Sequence, residues 1–287
     1  MATMLTIVAA LLLLLLPLPA AAAGPVAIVA AENFYGDVAQ QIGGANVKVT
    51  SILSNPDQDP HLFEASPSTA RAMAGARIVI FNGIGYDPWV ETLLRAAGAS
   101  GREAIDVARL VHRKTGDNPH IWYDPATMPA LADRLAGDLG KLDPAHRARY
   151  RQRLAQFRES LQPIAAKVGA LRKRLAGVPA TATEPVFGYM FAALGMRVRN
   201  AWFQLSVMNN TEPSASDVAA FEGDLKGHKV RLLVYNSQAS DPVAQRMVQL
   251  AKEAGVPVVA VTETEPPGQN YQAWMTSELD AVDRATR

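Results

Sequence analysis

Cysteine is absent from all 287 residues, which excludes disulfide staples, thiolate metal ligands and a lipid-modified cysteine at an export cleavage site. Basic runs are missing too. The 28 Lys and Arg stand against 27 Asp and Glu for a net charge of +1, and no stretch interleaves basic with aromatic residues, so the chain has no device for neutralising a nucleic-acid backbone. The HExxH and paired CxxC spacings of common zinc sites do not occur. Low-complexity segments are also lacking. With 49% hydrophobic residues the chain can build real cores, either one large globular unit or two medium domains.

The apolar run Ile7 to Leu16 is too short to cross a bilayer, and Ala20 to Ala23 supply the small residues that signal peptidase cuts beside. No Lys or Arg precedes the run, so the positive end rests on the terminal amine. The expected reading is a cleaved export signal over residues 1–23, a mature protein outside the cytoplasm and, for a bacterial chain, a periplasmic one.

From Pro25 onward short β-branched runs alternate with helical patterns, as parallel strands joined by crossover helices require. VKVTSIL, RIVIFNG, VPATAT, VRLLVYNS and VPVVAVTE read as strands, while MRVRNAW is followed by an expected loop, LSVMNNTEPS. The segment from Asp143 to Leu175 differs. Asp143–Pro144 is a good helix start, and the charged stretch after it has helical spacing of its apolar residues. It predicts one helix of about 30 residues, on the order of 45 Å long, kinked by Pro163 about a turn earlier. The expected fold is therefore α/β, with two mainly parallel lobes over 24–143 and 176–287 joined by a single linker helix over 144–175.

In open α/β sheets ligands bind beyond the carboxyl ends of the strands, which directs attention to four residues. His61 stands in the stiff loop NPDQDPHLFEASPST after a strand, where Asp59 can accept a hydrogen bond, and His120 stands in the turn DNPHIWYDP. Glu184 follows VPATAT and Glu263 follows VPVVAVT. Two imidazoles from one lobe and two carboxylates from the other make a nitrogen and oxygen cage for a divalent first-row metal. Ordinary alternatives exist for each: local turn bonding for His120, a helix-start charge for Glu184, and a solvated acidic turn for Glu263 with Glu265.

The segments DPHLFEASPSTARAMAGARIVIFNGIGYDPWVETLL, DNPHIWYDP, TEPVFGYMFAALG, TEPSASDVAAF and VVAVTE together resemble the metal-binding receptors of zinc and manganese ABC transporters. The resemblance covers nearly all of the mature chain. It implies two α/β lobes joined by a long rigid helix, no enzymatic activity, a monomeric receptor and a membrane permease as partner. It also implies His61, His120, Glu184 and Glu263 as ligands, with Glu265 two residues from the last and Glu212 competing weakly. His112, His146 and His228 fall outside the matching motifs, and the His-rich loop of many zinc members is absent. Two imidazoles with two carboxylates form a harder set than three imidazoles, which suits Mn²⁺ or Fe²⁺, although Zn²⁺ outcompetes Mn²⁺ at most such sites. The alternatives are a metal-dependent hydrolase using the same cleft, for which four protein ligands leave no open position, and a receptor for a metal chelate or small anion.

Overall fold

The computed structural model describes residues 24–56, 60–98 and 101–287. The export signal expected over 1–23 and the acceptor role expected of Asp59 lie outside these residues.

In the first lobe β1 (Val26–Glu32), β2 (Val47–Leu53), β3 (Ile78–Phe81) and β4 (Glu103–Asp106) form a parallel sheet in the order β2-β1-β3-β4. Successive side chains on a strand point to opposite faces, and both faces are covered. Ile28, Ala30, Ile78, Ile80 and Ile105 enter one core, while Val29, Ala31, Val79 and Phe81 enter another. Helices α1 (Asn33–Gly43), α2 (Pro67–Ala74), α3 (Pro88–Ala97), α4 (Val107–Leu110) and α5 (Thr127–Leu142) supply the covering layers. Helix α2 starts where the sequence marks it: the Ser66 hydroxyl accepts the Thr69 N–H, and Pro67 occupies the first turn.

The linker runs as α6 (Arg147–Ser160) and α7 (Gln162–Leu175), with Leu161 alone between them. Pro163 offers no N–H and its ring crowds the carbonyl four residues earlier, so the regular ladder stops there and resumes with proline in its first turn. Tyr150 and Phe157 of α6 and Ile164, Leu171 and Leu175 of α7 are buried in the main core. The first half packs on α1 and α5, the second on the C-terminal helix of the chain.

The second lobe repeats the plan. Strands β5 (Pro179–Ala182), β6 (Arg197–Val198), β7 (Leu233–Asn236) and β8 (Val258–Val261) are parallel in the order β6-β5-β7-β8, the same permutation as in the first lobe. Its helices are α8 (Gly188–Ala193), α9 (Ala201–Met208), α10 (Ala215–Lys226), α11 (Pro242–Glu253) and α12 (Tyr271–Ala285). Helix α9 takes in residues 205–208, the first four of the loop expected at LSVMNNTEPS, while residues 209–214 form no helix or strand. Phe203 and Val207, one turn apart, are buried against Phe221 and Leu225, and this packing outweighs the polar residues that suggested a loop.

The lobes do not meet across an open gap. Phe34, Trp122 and Tyr123 of the first lobe stack with Phe187 and Trp274 of the second, in one core continuous through both. Burying each such ring contributes about 1.5–3 kcal/mol, so opening this boundary costs several rings' worth of hydrophobic free energy.

Candidate metal centre

His61 belongs to a short 3₁₀ turn, Pro60–Leu62, beyond the carboxyl end of β2, with Pro60 buried beneath it. Its ring stands edge-on to Tyr86 and to His120, with centroids 5.2 and 5.9 Å away. His120 is wholly buried at the start of the turn Ile121–Tyr123, between β4 and α5. Glu263 is wholly buried in the second lobe, two residues beyond β8. Its Oε2 lies 3.4 Å from His61 Nε2 and 3.3 Å from His120 Nε2. One ligand atom from each of these three residues falls within 4.8 Å of the others, the one such group of three or more found among the described residues.

Neighbouring side chains hold this group from both lobes. Asn118 commits its Nδ2 to the Pro185 carbonyl at 2.6 Å, so its Oδ1 faces His120 and accepts from Nδ1–H at 2.7 Å. The other imidazole nitrogen, Nε2, is buried 3.3 Å from Glu263 Oε2, and among the described residues no group meets it with hydrogen-bond geometry. A buried acceptor nitrogen in that position fits a cation. The Tyr86 hydroxyl donates to Glu263 Oε2 at 2.9 Å, and Asn236 Nδ2 donates to Oε1 at 2.6 Å. Tyr86 arrives on the tight loop after β3, where Gly83 has φ 80° and an added Cβ would come within 2.5 Å of an Asp106 oxygen, so glycine is required. Asp87 closes that loop by accepting the Asn82 and Gly83 N–H groups at 2.6 and 2.9 Å.

The electrostatics suit a cation. Burial lowers the His120 imidazole below its ordinary value, which favours the neutral form that can ligate. Burial also opposes the charge on Glu263, yet the adjacent His120 and His61 imidazoles, when protonated, outweigh it and hold the carboxyl well below the usual carboxylate range. An ion seated here would replace the imidazole protons as the charge that keeps Glu263 ionised.

Of the four expected ligands, the structure brings His61, His120 and Glu263 together and leaves Glu184 one step away. Glu184 is buried two residues beyond β5, and its Oε2 accepts from the same Asn236 amide nitrogen at 2.8 Å. The Asn236 amide therefore lies between two carboxylates. With His61, Leu62 and Met208, Glu184 lines a cavity of about 200 Å³ at the lobe boundary. Glu265 is not part of this group, and its backbone N–H and carbonyl pair with the Asn33 side chain at 3.0 and 2.7 Å. Glu212 is exposed, as are His112 and His228, while His146 pairs with Asp143 at 2.6 Å. Sequence reasoning missed Tyr86, Asn118 and Asn236. Asn236 carried a usable signal, since it ends a central parallel strand.

Two parallel α/β lobes with opposed nitrogen and oxygen donors at their common boundary define a two-lobed binding receptor. The model of the family described as "Zinc-uptake complex component A periplasmic", ZnuA, matches residues 28–285, and the chain belongs to that family. Its members are metal-binding receptors of uptake systems, not enzymes. The chain is 25% identical over 240 residues to the manganese-binding lipoprotein MntA of Bacillus subtilis, covering 79% of this chain and 76% of MntA. It is 22% identical over 240 residues to the iron-binding protein YfeA of Yersinia pestis, covering 79% and 74% respectively. The periplasmic zinc-binding protein TroA of Treponema pallidum has the same fold, with a TM-score of 0.77 at 18% identity over 92% of this chain and 99% of TroA.

Proposed function

We propose that this protein captures a divalent first-row metal at the lobe boundary and hands it to the permease of an ABC transporter. His61, His120 and Glu263 would be ligands, with Glu184 as the fourth once the Asn236 amide yields. The observation that carries the reading is the compact group of His61, His120 and Glu263, drawn from both lobes, with the buried His120 Nε2 3.3 Å from Glu263 Oε2. Such donors take up the ion as cargo. Two imidazoles and two carboxylates accommodate Mn²⁺ or Fe²⁺, and the Irving–Williams order places Zn²⁺ above both at the same donors. The relatives named for manganese and iron, and the zinc-binding structure of the same fold, span that range. We infer zinc or manganese as the native cargo.

The test is metal analysis of protein purified without added zinc, followed by calorimetric titration with Zn²⁺, Mn²⁺ and Fe²⁺. One equivalent of metal, lost in a His120→Ala variant, is the expected result. A protein that binds none of these ions but takes up a metal chelate would overturn it.

A further inference from the structure

Glu278 lies on α12, outside the group of ligand-type residues, and is buried, as are Trp274 and Tyr123 beside it. Its Oε1 is approached by three donors from three places. The Trp274 indole N–H comes from the same helix at 2.8 Å, the Thr262 backbone N–H from the end of β8 at 3.3 Å, and the Tyr123 hydroxyl from the first lobe at 2.9 Å. The Tyr123 hydroxyl is also 2.7 Å from the Thr262 carbonyl. Thr262 is the residue before Glu263, and Tyr123 ends the short turn that His120 opens. One carboxyl oxygen thus joins the backbone flanking one expected ligand to the turn carrying another, across the lobe boundary.

We propose that Glu278 is a positioning residue, which with Tyr123 locks the His120 turn to the Glu263 strand end and so sets the spacing of the metal centre before an ion arrives. The inference rests on the metal reading above. Packing alone does not call for a carboxyl group at this place. The surroundings are aromatic, and the second oxygen, Oε2, is buried with no hydrogen-bond partner among the described residues, a cost that an apolar residue would avoid. What the carboxyl supplies is an acceptor for the Thr262 N–H and the Tyr123 hydroxyl at once. Burial raises the Glu278 carboxyl to about 8, so the acid is neutral at neutral pH and its Oε1 acts as a carbonyl-type acceptor. Glutamine can reproduce that acceptor.

The experiment measures Zn²⁺ affinity by chelator competition and the visible spectrum of the Co²⁺-loaded protein in four variants. Tyr123→Phe keeps the ring and deletes the clasp, and Glu278→Leu deletes the acceptor. Glu278→Gln restores the acceptor, and Leu279→Ala damages the same buried helix without touching it. Tyr123→Phe and Glu278→Leu are expected to weaken Zn²⁺ binding about 10–100-fold, the range for outer-shell partners of metal ligands, and to shift the Co²⁺ bands. Glu278→Gln and Leu279→Ala should bind and absorb as wild type, Leu279→Ala at a lower melting temperature. Should Glu278→Leu fail to fold, Tyr123→Phe decides the matter. Wild-type affinity and spectrum in Tyr123→Phe, or a Glu278→Gln variant as weak as Tyr123→Phe, would overturn the proposal. A His120→Ala control separates the two readings: if it too binds like wild type, the metal centre is at fault and not the clasp.

Discussion

His120 Nε2 and Glu263 Oε2 lie 3.3 Å apart although one residue belongs to the first lobe and the other to the second. Each lobe alone offers an incomplete set of donors, and only their docking assembles one. The buried aromatic boundary therefore fixes the site as well as the fold.

The imidazoles come first among the consequences. Each supplies a neutral nitrogen that water replaces poorly, and removing a ligand should cost at least as much as removing an outer-shell partner, about 100-fold in affinity. Calorimetry on His61→Ala and His120→Ala should show that loss with an unchanged circular dichroism spectrum. His112→Ala, altering an exposed turn residue, should bind normally.

Glu263 and Glu265 are two residues apart yet differently placed, Glu263 against both imidazoles and Glu265 tied through its backbone to Asn33. Glu263→Ala should therefore cost far more metal affinity than Glu265→Ala. The reverse order in a Zn²⁺ titration would move the ligand two residues along the chain.

Asn236 donates to Glu263 at 2.6 Å and to Glu184 at 2.8 Å, holding two carboxyl groups near each other. An Asn236→Leu variant loses both bonds and should bind Zn²⁺ about 10–100-fold more weakly, as other outer-shell losses do. Tight binding in this variant would mean that the amide only blocks Glu184, and that removing it assists the ligand.

Much of this arrangement is legible along the chain, and the rest fails for physical reasons. β-branched runs such as IVIF, followed by helical spacing, announce parallel strands covered on both faces, and Pro163 marks the linker break within a few residues. His61 and Glu263 follow strands, so the rule for open sheets finds them, while His120 is marked by the polar, proline-bearing turn DNPHIWYDP. Helix α9 was hidden because its stability comes from Phe203 and Val207 meeting Phe221 and Leu225, a contact that local polarity does not report. Tyr86 and Asn118 were hidden for the same reason: each acts on the opposite lobe, through Glu263 and the Pro185 carbonyl. The Asn236 amide between Glu184 and Glu263 is a matter of ångströms, which spacing in sequence does not encode.

The metal-free protein should also lose stability as the pH rises. Burial raises Glu278 from 4.5 to about 8 and Glu265 from 4.5 to about 9, so the folded protein keeps protons that the unfolded chain releases above about 4.5. Stability from these groups is complete below that value and is lost as the pH climbs through the folded values. For Glu278 the slope approaches ~1.4 kcal/mol per pH unit between about 5 and 8. Urea unfolding at several pH values, with chelator present, should show the fall, and Glu278→Gln should flatten part of it. An unchanged slope in that variant would assign the effect elsewhere.

Metal should stabilise the protein without a large closure of the lobes. An ion that binds only the folded state adds RT ln(1 + [L]/Kd), about 4 kcal/mol at a thousandfold excess over Kd. For a chain of this size each kcal/mol raises the melting temperature by about 2–4 °C, so saturation should give a shift on the order of 10 °C that chelator reverses. The lobes have little freedom to swing, because Phe34, Trp122, Tyr123, Phe187 and Trp274 form one core through both and two linker helices pack against it. The radius of gyration from small-angle scattering should therefore be nearly the same with and without Zn²⁺. A large fall on loading would make the Leu161 break a hinge, and would require the aromatic boundary to part in the metal-free state.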